Sequence, residues 1–581
     1  MDKLSQERYK FWTSSDYFDK DTKEELIMIL NDEKNIEERF YKELEFGTGG
    51  LRGIIGAGTN RMNKYVVRRT SQGLANYILN LENTTKNKSV VISFDSRHKS
   101  HEFAWEAANI FSANNIKTYL FDELRPVPIL SFAVKYLEAT IGIMITASHN
   151  PKEYNGYKVY GEDGAQIPLA VSTNILNEIN KINDISKINY LESDSKSQIV
   201  LIGKNIDDKY IESIKTLTIN TNHIQDVANN YKIIYTPLHG TGNKPVRRIL
   251  KETGFNSVLV VKEQELPDID FSTVKSPNPE EKSAFEMAIR LAKKENADLI
   301  LGTDPDCDRT GVLAKNSLGE YEILTGNQIG CLLLNYLLSQ LKINTTILHK
   351  SFIVQTIVTT DLTWKIAKKF NIELIEVLTG FKFIGEKINE LEDKSDKKFL
   401  FGFEESYGYL VGTFSRDKDG VLASMLIAEM AAYYKQKNMS LFDEMNNIFN
   451  EYGYYLEDLK AYVLDVKEGI NKIQSIMEFL REHKNNLYAN LNVIAIRDYK
   501  QKVRYDINTQ TESKLDLPLS DVLYYEIENG WFCVRPSGTE PKIKIYFGVN
   551  SKTLEESRKN LEILKKSVLD VIEPVLRPKI I

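Results

Sequence analysis

Four short polar clusters in the 581-residue chain have residue types and spacings that could do chemistry. The first is Thr146-Ala147-Ser148-His149-Asn150-Pro151, directly behind the apolar run 141–145. Asn150-Pro151 forbids a helix from starting at once, because proline steers the residue before it away from the α region. A serine on such a strand-to-turn corner suits a hydroxyl approached by something large and anionic; the bland alternative is a serine that only caps the turn. The second cluster is Asp304, Asp306 and Asp308, within Gly302-Thr303-Asp304-Pro305-Asp306-Cys307-Asp308-Arg309. Alternating carboxylates on an extended loop point the same way and repel unless a cation sits among them. Hard divalent cations with oxygen ligands, Mg²⁺ above all, are the natural occupants. The glycine and distal glutamate of an EF-hand are missing at the required spacing. Arg309 beside them suits a contact to a phosphate oxygen.

The third cluster, Arg535, Ser537, Gly538, Thr539 and Lys544, combines guanidinium, hydroxyls, backbone amides and an ammonium, which fits a phosphate dianion. An ordinary turn with solvated charges has the same texture. In the fourth, Glu404 can accept from sugar hydroxyls and Ser406 can donate to them, though such runs are often solvated surface. His149 is not read as a base for Ser148, since neighbours on an extended chain face opposite sides. Together the clusters describe an oxygen nucleophile, a cation site, a polyol loop and a phosphate clamp, the equipment for phosphoryl transfer to or from a phosphorylated sugar. No GxxxxGK[ST] loop or kinase motif set is present, so a nucleotide donor is not indicated.

The elements that position these clusters recur. Strand, helix, strand, helix, strand is expected over 89–95, 103–114, 116–121, 129–137 and 139–145, ending at Ser148. The order returns over 231–235, 244–251, 257–262, 284–294 and 297–301, ending at the aspartates. It returns again over 345–349, 361–370, 372–377, 380–391 and 398–403, ending at Glu404. Strands alternating with helices imply α/β layers with largely parallel pairing, whose ligands gather beyond the carboxyl ends of strands. Two helices are expected over 23–30 and 36–44, and the stretch 183–209 reads as polar with little pattern. Beyond about 450 the texture shifts to a smaller α+β domain. Gly47-Thr48-Gly49-Gly50-Leu51-Arg52-Gly53 is a glycine-rich loop able to approach an anion.

The net charge of −6 argues against a general nucleic-acid binder. Three scattered cysteines make neither a disulfide framework nor a zinc site. No secretory signal is visible in the first residues, and no run approaches the roughly 18 apolar residues of a membrane span. A cytoplasmic protein without a membrane partner is expected.

The motifs GTGGLRG (47–53), TASHNPKEYNGYK (146–158), GTDPDCDR (302–309), TGFKFIG (379–385), FEESYG (403–408), RDKDG (416–420) and RPSGTEPK (535–542) resemble the α-D-phosphohexomutase superfamily, specifically its long phosphoglucomutase/phosphopentomutase-like branch. The resemblance implies three related α/β domains with mixed sheets around a central cleft, plus a C-terminal α+β domain of TATA-binding-protein-like fold. The domains are expected at 1–205, 206–325, 326–448 and 449–581. It implies that Ser148 carries a phosphoryl group and, with the three aspartates, holds Mg²⁺. Lys158 is implied as general acid/base with Arg52 lowering its pKa, and Lys418 as another candidate for that role. Thr379 and Gly380 join Glu404 and Ser406 around the sugar.

The implied reaction interconverts sugar 1-phosphate and sugar 6-phosphate through a sugar 1,6-bisphosphate, glucose being favoured over mannose or pentose. A sugar-bisphosphate synthase and a phosphosugar-binding scaffold are the alternatives. A monomer or weak homo-oligomer is expected. The sequence departs from the family pattern at Pro305 and Cys307, where glycines are common between the aspartates, and at Phe403.

Overall fold

The computed structural model describes residues 1–47, 49–81, 88–190, 198–228, 230–341, 350–394, 396–464, 466–483, 491–537 and 542–576. Helices Lys3–Ser14, Lys20–Met28 and Glu33–Phe40 open the chain, each capped by an aspartate (Asp2, Asp19, Asp32) that accepts from a first-turn N–H. Their apolar faces, including Trp12, Leu26 and Phe40, cluster with Tyr65 of the helix Lys64–Asn80. The extension is thereby part of the first α/β unit.

That unit holds a six-stranded sheet in the order Gly50–Ile54, Tyr154–Tyr160, Ile141–Ile145, Ser89–Phe94, Lys117–Phe121, Ile199–Ile202. The last four pair in parallel and the first two antiparallel. Ser89–Phe94 and Ile141–Ile145 are buried throughout, as continuous apolar runs in a covered parallel sheet should be. The stretch 183–209 is less featureless than expected: it contributes the sixth strand and the start of helix Lys204–Lys215. Four residues at a half-exposed sheet edge are too short a run for periodicity to reveal.

The second sheet runs Tyr321–Leu324, Thr310–Lys315, Leu299–Thr303, Lys232–Thr236, Ser257–Val260, and the third runs Glu373–Val377, Ser351–Thr356, Lys398–Glu404, Gly408–Val411. Each has three parallel strands, joined to two antiparallel ones in the second sheet and one in the third. The strand expected over 345–349 falls wholly outside the described residues; Ser351–Thr356 occupies its place in the repeat. In all three units the polar cluster is the turn between the last parallel strand and an antiparallel successor. The units pack around helix Gly420–Gln436, which is buried on nearly every side.

The C-terminal unit is a seven-stranded antiparallel sheet in the order Tyr454–Val463, Lys542–Ser551, Gly530–Pro536, Leu523–Ile527, Val493–Asp498, Val503–Asp506, Thr511–Lys514. Alternation divides its faces. Tyr525, Phe532, Val534 and Phe547 pack against helices Val466–Glu482 and Leu554–Leu576. Tyr524, Trp531, Cys533 and Tyr546 meet Ile357, Val358 and Leu378 of the third unit. This is the α+β domain expected. Among the described residues, no helix is long and apolar enough to cross a membrane.

Candidate active site

Ser148 leaves its strand with φ 53°, in the left-handed region. That twist turns the buried hydroxyl toward the second unit, where Ser148 Oγ donates to Asp304 Oδ2 across 2.7 Å. It also brings Oγ within 3.2 Å of His149 Nδ1. The expectation that His149 faces away is corrected: the strict two-residue alternation holds only for extended backbone. Burial, reinforced by Arg309 and Arg52, pushes the His149 imidazole well below its ordinary pKa.

The aspartate loop is a tight turn rather than the extended run expected. The Cys307 N–H donates to Asp304 O at 2.9 Å, and the N–H groups of Asp308 and Arg309 donate to Asp304 Oδ1 at 3.1 and 3.0 Å. Cys307 adopts φ 52°, a conformation in which glycine is easiest. Curling, not alternation, makes the carboxylates converge, and one oxygen from each lies within 4.8 Å of the others. All three are buried, and Asp306 Oδ1 and Asp308 Oδ1 accept no hydrogen bond. Orphaned carboxylate oxygens beside a serine hydroxyl form a hard donor set that fits Mg²⁺.

Burial and the neighbouring Asp306 and Asp308 carboxylates push Asp304 well above the usual carboxylate range. Asp308 is held below that range because Lys418 and Lys158 outweigh its burial.

Lys158 stands on the strand beside that of Ser148, paired with Met144 across the ladder. Its Nζ lies 2.7 Å from Asp306 and 3.3 Å from Asp308. Against burial, those carboxylates hold its pKa above the ordinary value. The expected lowering by Arg52 is not found, since Arg52 is exposed and donates to Asn150 Oδ1 at 3.1 Å. Lys418 Nζ reaches Asp308 at 3.3 Å, Asp417 at 3.1 Å and Glu404 at 3.9 Å, bringing the third unit into the same cluster. The Arg309 guanidinium pairs with Glu280. Ser406 is half-buried in the turn between Lys398–Glu404 and Gly408–Val411. Burial and Glu404 push Glu405 up to about 7.

On the C-terminal sheet Arg535 lies opposite Lys544. Burial and the adjacent cations Arg535 and Lys542 lower the Lys544 pKa, with Glu405 opposing. Ser537 N–H donates to Lys542 O at 2.7 Å, closing the hairpin, while Gly538 and Thr539 lie outside the described residues. A cleft of about 1010 Å³ runs between the units, lined by Arg52, Thr379, Gly380, Lys382, Arg535 and Ser537. Sequence reasoning missed Asp95, Arg97, Glu280 and Lys382. Asp95-Ser96-Arg97 did carry a signal, being a charged cluster directly after a buried strand, as the other clusters are.

The four domain profiles described as phosphoglucomutase/phosphomannomutase alpha/beta/alpha domains I, II and III and C-terminal domain match residues 43–186, 208–319, 325–452 and 495–562. Phosphoglucomutase of Staphylococcus haemolyticus is 40% identical over 528 residues, covering 90% of this chain and 93% of that protein. A phosphoglucomutase of Staphylococcus aureus is 39% identical over 532 residues, with the same coverage. Among solved structures, parafusin (phosphoglucomutase) from Paramecium in its open form shares the fold at TM-score 0.66 and 18% identity, covering 92% of this chain and 95% of that one. A phosphoglucomutase/phosphomannomutase family protein from Burkholderia thailandensis does so at TM-score 0.64 and 17% identity, covering 92% and 98%. With four profiles in order along its length and relatives near 40% identity, the chain belongs to the phosphoglucomutase/phosphomannomutase family.

Proposed function

We propose that the protein interconverts glucose 1-phosphate and glucose 6-phosphate by passing a phosphoryl group through Ser148. The observation that carries this reading is the Ser148 hydroxyl, buried and 2.7 Å from Asp304 within a cluster of three buried aspartates. A serine that merely capped a turn would face its own backbone or solvent. The choice of glucose rests on the relatives named phosphoglucomutase.

Phospho-Ser148 gives its phosphoryl group to the free hydroxyl of the sugar phosphate: the bond from phosphorus to Ser148 Oγ breaks as the bond to the sugar oxygen forms. The hydroxyl proton passes to Lys158 in its neutral form, which requires the ion pairs with Asp306 and Asp308 that keep its ammonium charged to be released first. After the sugar 1,6-bisphosphate turns over in the cleft, Ser148 Oγ takes the other phosphoryl group and Lys158 returns the proton to the departing oxygen. Asp304, Asp306, Asp308 and Ser148 would hold Mg²⁺, which stabilises charge on the transferring group when bound.

Arg535, Ser537 and Lys544, with Gly538 and Thr539, grip whichever phosphate is not reacting. Glu404 and Ser406 hold the sugar hydroxyls between them and Thr379-Gly380. Arg52 and Arg309 contact phosphate oxygens near Ser148, and Lys418 ties Glu404 to Asp308. The proposed domains 1–205, 206–325, 326–448 and 449–581 thus supply carrier, metal loop, sugar loop and clamp. Three buried, unpaired cysteines accord with action in a reducing cytoplasm.

A coupled assay started with glucose 1-phosphate and trace glucose 1,6-bisphosphate tests the reaction, with mannose 1-phosphate and ribose 1-phosphate as competing substrates. Ser148→Ala should lower turnover about a thousandfold or more and abolish labelling by the bisphosphate. Full turnover in that variant would end the phosphoserine account.

A further inference from the structure

The left-handed conformation of Ser148 is disfavoured by its own β-carbon, so the surroundings must impose it. Within the loop the backbone supplies little, with Asn150 N–H to Ala147 O and Tyr154 N–H to Pro151 O, both 3.1 Å. The rest comes from Arg97, whose side chain is fully buried. One arm of its guanidinium donates to Pro151 O at 2.9 Å and Tyr154 O at 3.2 Å. The other donates to Ser148 O at 2.5 Å and to Asn150 O.

Arg97 is itself held from two sides. Asp95 lies 3.3 Å from its Nε, and the Phe271 ring of the second unit lies beneath the guanidinium at 5.1 Å. Asp95 also accepts from Thr146 Oγ1 at 2.6 Å, and that oxygen accepts the Ser148 N–H at 2.8 Å. Both peptide groups of the serine are thereby tied to one buried ion pair. Among the described residues, the Arg97 side chain donates its hydrogen bonds to backbone carbonyls, not to Ser148 Oγ.

We infer that Arg97, seated between Asp95 and Phe271, is the positioning residue that keeps Ser148 in the conformation that gives and takes the phosphoryl group. The inference rests on the phosphoserine reading above. A planar fork that satisfies four carbonyls from two directions cannot be copied by an ammonium. Displacing a reacting group by about 1 Å costs on the order of a hundredfold in rate.

The test uses the full-length chain with Arg97→Met and Arg97→Lys, labelled at Ser148 with radioactive glucose 1,6-bisphosphate. Turnover is then expressed per labelled site, so loss of folded protein does not count. Arg97→Met should lose about a hundredfold in turnover per labelled site with KM within about threefold of the parent, and Arg97→Lys should recover less than about tenfold of that loss. Turnover per labelled site within threefold of the parent in either variant would overturn the inference.

If Arg97→Met does not fold, Thr146→Val decides. It should lose about tenfold per labelled site at unchanged KM, and an unchanged turnover overturns the inference equally. A parent that takes no label at Ser148 defeats the phosphoserine reading and this inference with it. A labelled parent with unaffected variants defeats the inference alone.

Discussion

Carboxylate oxygens buried without a hydrogen bond are costly, and the turn after Leu299–Thr303 holds two, on Asp306 and Asp308. Lys158 and Lys418 reach the other oxygens, Oδ2, and leave both Oδ1 atoms unmet. A divalent cation would complete the compensation, so binding should stabilise the fold by mass action. Asp306→Asn is therefore expected to raise the Mg²⁺ concentration for half-maximal activity roughly ten- to hundredfold. It should also reduce the rise in melting temperature that Mg²⁺ gives the parent; an equal rise in both proteins would remove Asp306 from the site. Across the cleft, Arg535 and Lys544 lie opposite each other on adjacent strands, with Glu405 acting on Lys544. Arg535→Gln should raise KM for glucose 1-phosphate about tenfold or more while leaving Ser148 labelling stoichiometry intact, since a charge-assisted contact is lost without touching the carrier.

At the scale of elements, the clusters at Ser148, at the three aspartates and at Glu404 are each a hairpin turn after a buried parallel strand. The strands were legible because continuous apolar runs ended in polar residues. The antiparallel returns Tyr154–Tyr160, Thr310–Lys315 and Gly408–Val411 were not, because their partners are set by tertiary pairing. The departures from the family pattern have local counterparts that one sequence does not display. Cys307 sits at φ 52°, the conformation for which glycine is the easy solution. Phe403 fits because Gly330 of helix Gly326–Leu341 faces it: a β-carbon there would lie 2.1 Å from the ring. The aspartates and clamp could be named from residue types and spacing; the charge cluster Asp95-Ser96-Arg97 was visible too, but not the role of Arg97, since its partners are carbonyls and every residue has one.

Another element-scale consequence concerns Asp361, which precedes helix Leu362–Phe370 at the edge of the third unit. Burial, then Glu376, Glu457 and Glu526, push its carboxyl up to about 7, with Arg497 opposing. Tyr455 and Tyr524 also face it, their own pKa values raised in part by its charge. A raised carboxyl contributes stability in full below about pH 4, and that contribution is lost as pH rises through about 7. Asp361→Asn should therefore gain about 2 kcal/mol relative to the parent between about pH 5 and pH 8, read as the difference between their denaturation midpoints at the two pH values. A pH-independent difference would show that Asp361 titrates normally.

On the scale of the whole molecule, Ser148, the proposed phosphoryl carrier, and Arg535 and Lys544, proposed to grip phosphate, belong to different units. The clamp's sheet meets the third unit through an apolar seam of Ile357, Val358 and Leu378 against Tyr524, Trp531, Cys533 and Tyr546. At its rim Arg497 bridges to Glu376 at 3.4 Å. A bisphosphate that must reverse between two bodies escapes whenever they separate before it has turned. The balance between reversal and escape is then set by how firmly the seam holds, and apolar contact weakens on cooling. The enzyme should leak in the cold: free glucose 1,6-bisphosphate released per turnover rises as temperature falls, and the need for added bisphosphate rises with it. Val358→Ala should move that onset to a higher temperature, since a loss of one or two kcal/mol changes such a ratio roughly five- to thirtyfold. A release ratio that stays flat with temperature in both proteins would mean the intermediate is retained by something other than the seam.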